Sequence, residues 1–127
     1  EDLENAIRDH ENADKKKKEC LKKAKKYIDQ KQYRIAIETY EKIIRVDPKY
    51  SEAYFYMALA YYYQKKWNEA IKGFESAIKC EPEFVEAYKY LEKSYQHRAK
   101  VNSKTSKDDL NNAKNISAKI KKLTSGK

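Results

Sequence analysis

Along most of the chain the apolar residues fall at helical spacing. Cys20, Ala24, Tyr27 and Ile28 hold one face of a run whose other positions are lysines, and Leu110, Ala113, Ile116, Ile120 and Leu123 form a second stripe near the other end. Between them lies AYFYMALAYYY, residues 53–63, with no charge, amide or glycine on any side. A spanning helix needs about twenty apolar residues, so this stretch is too short to cross a membrane. The pattern also repeats at an offset of 34. Pro48 and Pro82 are so related, as are Ala36 and Ala70, Ile37 and Ile71, Tyr40 and Phe74, Ile44 and Ile78, and DPKYSEAY (47–54) and EPEFVEAY (81–88). Small residues at Ala36 and Ala70 permit close helix approach, aromatics fill the space beside them, and each proline ends a second helix. The unit is a helical hairpin, stacked on its neighbours as in a solenoid.

The period and its residues resemble the tetratricopeptide repeat. Residues 17–50 carry Cys20, Ala24, Tyr27, Ala36, Tyr40 and Pro48 at its signature places, with Lys23 where leucine is usual; residues 51–84 carry Tyr54, Met57, Ala58, Tyr61, Ala70, Phe74, Ala77 and Pro82. A degenerate third repeat, 85–123, places Tyr88, Leu91 and Tyr95 correctly but has Glu92 at a small-residue position and Ser117 at an aromatic one. Nine residues are inserted in its turn, where Asp108 and Asp109 can cap the next helix. The expected class is all-α, a helical-hairpin solenoid with a C-terminal capping helix over 17–123 and a tail at 124–127. Residues 1–16 do not continue the repeat. Leu3, Ala6, Ile7, His10 and Ala13 can form one stripe of a lead-in helix, or the segment is partly disordered.

Composition narrows the chemistry. Two glycines and two prolines suit continuous helices, and twelve Tyr, three Phe and one Trp supply much of the apolar area. The net charge of +9 is nearly all lysine, with arginine only at 8, 34, 45 and 98. That field attracts acidic proteins, nucleic acid or anionic membrane alike, and the scarcity of arginine argues against a dedicated nucleic-acid reader. The basic run KKKKECLKKAKK (15–26) reads first as the solvated side of an end helix and second as a polyanion or membrane contact. Cys20 and Cys80 sit at helical core positions of the register and read as free thiols, which leaves the compartment open. The sequence starts at Glu1, so an upstream targeting or anchoring segment is compatible with it. His10 and His97 are far apart, no glycine-rich phosphate loop occurs, and neither cysteine has a metal-ligand partner at finger spacing. A non-catalytic module without cofactor or metal is expected.

In the repeat register Tyr54, Met57, Ala58 and Tyr61 face neighbouring helices, leaving Phe55, Leu59, Tyr62 and Tyr63 as a second, unused stripe. The resemblance implies that such first-helix positions line a concave ligand groove. Tyr90, Lys89, Lys93, Gln96 and His97 hold the corresponding wall of the third repeat; Lys18, Leu21, Lys25 and Ile28 hold that of the first. An aromatic floor between basic walls predicts a partner segment with apolar and acidic residues, anchored on Phe55, Leu59, Tyr62 and Tyr63 and steered by Lys25, Lys89 and Lys93. The stripe can equally be buried in a homodimer, or covered by either end of the same chain. The resemblance implies a carboxylate clamp for chaperone C-terminal tails made of Lys and Asn where Leu21 and Lys25 stand, Asn at Tyr56, and Lys and Arg at Glu86 and Tyr90, which argues against that ligand.

Overall fold

The computed structural model describes the backbone of residues 2–125 and the side chains of 14–125. Within them are six helices and no strand: α1 (Asp2–Asp29), α2 (Tyr33–Val46), α3 (Ser51–Tyr63), α4 (Trp67–Cys80), α5 (Val85–Val101) and α6 (Ser106–Ser125). They pair as three hairpins, α1/α2, α3/α4 and α5/α6, each stacked on the next. The helix α1 runs unbroken through residues 16 and 17, and α6 continues through Ser125. The side chains of Leu3, Ala6, Ile7, His10 and Ala13 lie outside the described residues.

Two hairpin turns are the same device 34 residues apart. Lys31 and Lys65 both adopt φ of 62°. At the first turn Lys31 N–H donates to the Ile28 carbonyl (2.9 Å) and Gln32 N–H to that of Tyr27 (2.7 Å); at the second, Lys65 N–H donates to Tyr62 (2.9 Å) and Lys66 N–H to Tyr61 (3.0 Å). This left-handed ending satisfies carbonyls that a helix end leaves free, and glycine is its usual residue. The junctions between hairpins repeat as well: Tyr54 and Tyr88 hydroxyls donate to the Pro48 and Pro82 carbonyls, each at 2.9 Å.

The helix α3 is apolar all round because it has neighbours all round. It packs on α4 within its own hairpin, on α2 of the preceding one, and on the flanking first helices α1 and α5. Ala53, Ala58 and Ala60 are fully buried, and Phe55 and Leu59 nearly so. The closest approach is at Gly73, where a Cβ would come within 2.6 Å of the Ala58 Cβ. The repeat register therefore misassigns part of this helix: Tyr54, Met57 and Tyr61 remain half-buried, while Phe55 and Leu59 are core. Phe55 meets Phe84 at 4.9 Å, Phe74 at 5.7 Å and Tyr90 at 5.8 Å between ring centroids, a cluster in tilted and edge-on geometry. Cys20 and Cys80 are free thiols, but both are exposed, which corrects their expected core placement.

The insertion in the third hairpin is absorbed mostly as helix. Relative to the second hairpin α5 runs on by one turn, the connection gains a residue, and α6 starts one turn early. The added turns are joined by an ion pair. Arg98 Nη2 lies 2.6 Å from Asp109 Oδ1, Thr105 Oγ1 donates to Asp109 Oδ2 at 2.8 Å, and Arg98 Nη1 donates to Asn68 Oδ1 of α4 at 3.0 Å. Asp109 is thus a buried anchor inside the first turn of α6.

Candidate functional site: an aromatic and basic face on the first helices

Helices α1, α3 and α5 lie side by side, so every third or fourth residue of each contributes to one face. Between α1 and α3 this face opens into a cavity of about 510 Å³ lined by Lys25, Ile28, Asp29, Lys31, Tyr33, Tyr56, Leu59 and Tyr63. Lys25 is half-buried, with its Nζ 4.4 Å from the centre of the Tyr56 ring. Tyr63 is 46 % exposed, and its ring meets Tyr33 at 6.0 Å and Tyr62 at 5.9 Å. Tyr62 bridges to the third hairpin, meeting Tyr90 at 5.4 Å, and meets Trp67 of its own hairpin at 5.4 Å. Burial first, then the nearby Tyr90 phenol, raises the pKa of both Tyr62 and Tyr63, so their hydroxyls stay protonated and can donate.

The structure thus splits the nine expected groove residues. Lys25, Leu59 and Tyr63 line the cavity, Leu59 as a buried floor residue with no free area to offer as an anchor. Phe55 is withdrawn from the face altogether, because the aromatic cluster around Phe74 and Phe84 consumes it. Tyr62 and Tyr90 are half-buried and brace one another. Lys93 Nζ sits 4.9 Å from the Tyr90 ring centre, Lys89 pairs with Glu86 at 3.7 Å, and Gln96 is exposed. Tyr33, Tyr56, Asp29 and Lys31 were not expected at the site. Tyr33 and Lys31 arrive through the α1–α2 turn, whose left-handed residue the sequence does not announce.

His97 stacks on Trp67 with centroids 4.5 Å apart and an interplanar angle of 5°. Burial, and after it Lys100, Lys65 and Lys93, lowers its pKa, which keeps the imidazole neutral at physiological pH. Beneath the cavity the Tyr40 ring stacks on Tyr56 at 6.1 Å, and its buried hydroxyl has no hydrogen-bond partner among the described residues. No group of three or more His, Cys, Asp or Glu able to hold a metal is found among the described residues, and no described helix is long and apolar enough to cross a membrane.

The helical-hairpin geometry and the 34-residue register meet in one comparison: residues 51–84 match the tetratricopeptide repeat family model. That segment is a tetratricopeptide repeat. Solved structures agree with it in fold. MamA from Desulfovibrio magneticus RS-1 superposes with a TM-score of 0.71 at 21 % identity over 85 % of this chain and 56 % of that one. The first repeat domain of Spaghetti (RPAP3), bound to the HSP90 peptide SRMEEVD, gives 0.71 at 23 % identity, covering 89 % and 82 %. The TPR2B domain of yeast Sti1, in complex with pHsp70, gives 0.63 at 24 % identity, covering 87 % of both. The chain spans little more than half of MamA. No curated protein matches the sequence. Since two of these similar structures hold chaperone peptides, the expectation against chaperone tails gains no support.

Proposed function

We propose that the protein is a non-catalytic interaction module that captures a partner segment bearing acidic and apolar residues on the α1/α3/α5 face. The observation that carries this reading is the open cavity where the Lys25 ammonium lies over Tyr56 beside the exposed Tyr63 ring. A carboxylate of the partner meets Lys25 or Lys31, and an apolar side chain packs on Tyr56, Tyr63 and the Leu59 floor. Tyrosine suits such a rim because it supplies contact area and a polar tip at low conformational cost. Lys89, Lys93 and Gln96 extend the basic wall along α5, where their effect is steering more than contact. The peptide-bound relatives support the general role. The clamp positions differ here: Leu21 is buried and Glu86 places a carboxylate beside Lys89. The partner's carboxylates must therefore be bound in another arrangement.

The test is selection from a displayed library of short acidic peptides that includes SRMEEVD. The wild-type chain should enrich peptides pairing Asp or Glu with an apolar residue, while Tyr63→Ala and Lys25→Glu should each lower affinity at least tenfold with helicity unchanged. Equal enrichment by the variants would remove this face from consideration. Capture of SRMEEVD by wild type, lost in Lys25→Glu, would identify the ligand as a chaperone-type tail.

A further inference from the structure

The helix α1 has 28 residues and α2 has 14, about 42 Å against about 21 Å. Their shared turn sets α2 beside the second half of α1. Lys17 Nζ reaches Asp47, just past the end of α2, at 3.2 Å, so the first half of α1 runs on beyond it. At that point the side of the hairpin opens as an apolar cleft of about 220 Å³, lined by Lys16, Lys17, Cys20, Lys42, Ile43 and Val46, with Val46 70 % exposed. The second hairpin has an equivalent cleft 34 residues on, at Tyr54, Ser76 and Cys80, walled by Pro48 and Lys49 of the preceding turn. In the first hairpin a continuous helix replaces that turn, and the apolar wall stays uncovered.

Charge is divided along the same helix. Residues 1–14 hold six acidic side chains against Arg8 alone, in a chain whose total is +9, whereas residues 15–26 hold eight lysines and Glu19. Counted upstream from Leu21 at alternating steps of four and three, the sequence reads Lys17, Asp14, His10, Ile7 and Leu3, so apolar residues return to that register only at 7 and 3. We propose that the chain self-associates through α1. Two copies lie antiparallel about a two-fold axis, and the acidic first half of each α1 lies along the lysine-rimmed cleft at Ile43 and Val46 of the other. Because α1 is one helix, its first half is carried away from its own cleft and is available to a second copy's. The contact is isologous, so each charge match is made twice. A nucleic acid would match the lysines but be repelled by the acidic half, which is why a second copy is the better occupant.

Sedimentation equilibrium on the full chain tests this. The mass should rise with concentration from 15.1 kDa to twice that value, and fall back as salt screens the charges. Lys16→Glu/Lys42→Glu and Glu4→Lys/Glu11→Lys should each stay at the single-chain mass, and an equimolar mixture of the two should regain the doubled mass. Alkylation of Cys20 by N-ethylmaleimide should slow as wild-type concentration rises. The proposal is overturned by a wild type that stays at single mass throughout, by a variant that dimerises as wild type does, or by a mixture that stays monomeric.

Discussion

Replacing Gly73 by alanine tests how closely α3 and α4 are packed, because two effects of opposite sign act on one methyl group. Helix propensity alone favours the change by about 1 kcal/mol, since Gly73 lies in the interior of α4. Packing opposes it. The new Cβ would stand 2.6 Å from the Ala58 Cβ and 3.1 Å from the Ala58 Cα, whereas carbon atoms settle at about 3.5–4.0 Å. Neither atom belongs to a flexible side chain that can swing aside, so the helices must part by roughly an ångström. Ala70, Phe74 and Ala77 on α4 are fully buried and would lose contact with α3 in the process. Overpacking of this kind costs about 1–3 kcal/mol, so against the propensity gain of about 1 kcal/mol the net expectation is a loss of up to about 2 kcal/mol. Urea unfolding followed by circular dichroism gives the measurement: a lower midpoint with the slope unchanged. Adding Ala58→Gly removes the opposing methyl, and the double variant should recover part of the loss. A Gly73→Ala chain more stable than wild type would refute the close approach.

Other outcomes follow from single features of the fold. Lys65→Gly should raise stability by about 0.5–1 kcal/mol in the same unfolding assay, because a side chain at φ of 62° is strained and glycine is not. Tyr40→Phe should be neutral or stabilising by up to about 1 kcal/mol, since the deleted hydroxyl is buried with no partner among the described residues; a loss would reveal a hydrogen bond to water. Asp109→Asn should cost about 3 kcal/mol, the lower end of the range for breaking a buried pair because Arg98 retains contact with solvent. Burial raises the Asp109 pKa, but the hydrogen bonds from Arg98 and Thr105 outweigh it and the net shift is downward. Its stabilisation is therefore complete above the unfolded value of about 3.9 and is lost as pH falls through the lower folded value. Acid titration of wild type should show this decline, and Asp109→Asn should flatten it.

The fold was legible because the 34-residue offset acts on several independent residue types at once. Prolines, small residues and aromatics recur together, and α2 and α4 each end two residues before a proline of that set, at Val46 and Cys80. The third hairpin was harder, since an inserted segment has no register. Its nine residues read as a polar turn, yet most wind into helix, and the Arg98–Asp109 pair that holds them joins positions eleven apart whose proximity depends on where both helices stop. The site was only half legible for a related reason. Dividing α3 into one packed stripe and one unused stripe presumes two packing directions, while the helix has four neighbours, which bury Phe55 and Leu59 as well. Burial of Phe55 depends on Phe84, a residue of the next junction that only the assembled stack brings to it.

On the proposed function, that burial moves recognition from the middle of the aromatic helix to its seams. What remains on the face is a set of tyrosines whose rings are held by other rings and whose edges meet solvent, with lysines lying over two of them. A lysine on an open helix samples many rotamers and loses about 2 kcal/mol of side-chain entropy when a ligand fixes it. Over a tyrosine ring part of that ordering has already occurred. The ring attraction is about 0.5–1 kcal/mol at a partly exposed site, enough to bias the ammonium toward the cavity and too little to hold it from an incoming carboxylate. Under the proposed function Lys25 is placed before the ligand arrives, and the Tyr56 face beneath it would serve the charge and the apolar contact together. Exchanging Lys25 for arginine preserves the charge but brings a larger planar cation onto that ring, so it should retain acidic selectivity while changing which apolar neighbours the ligand can carry.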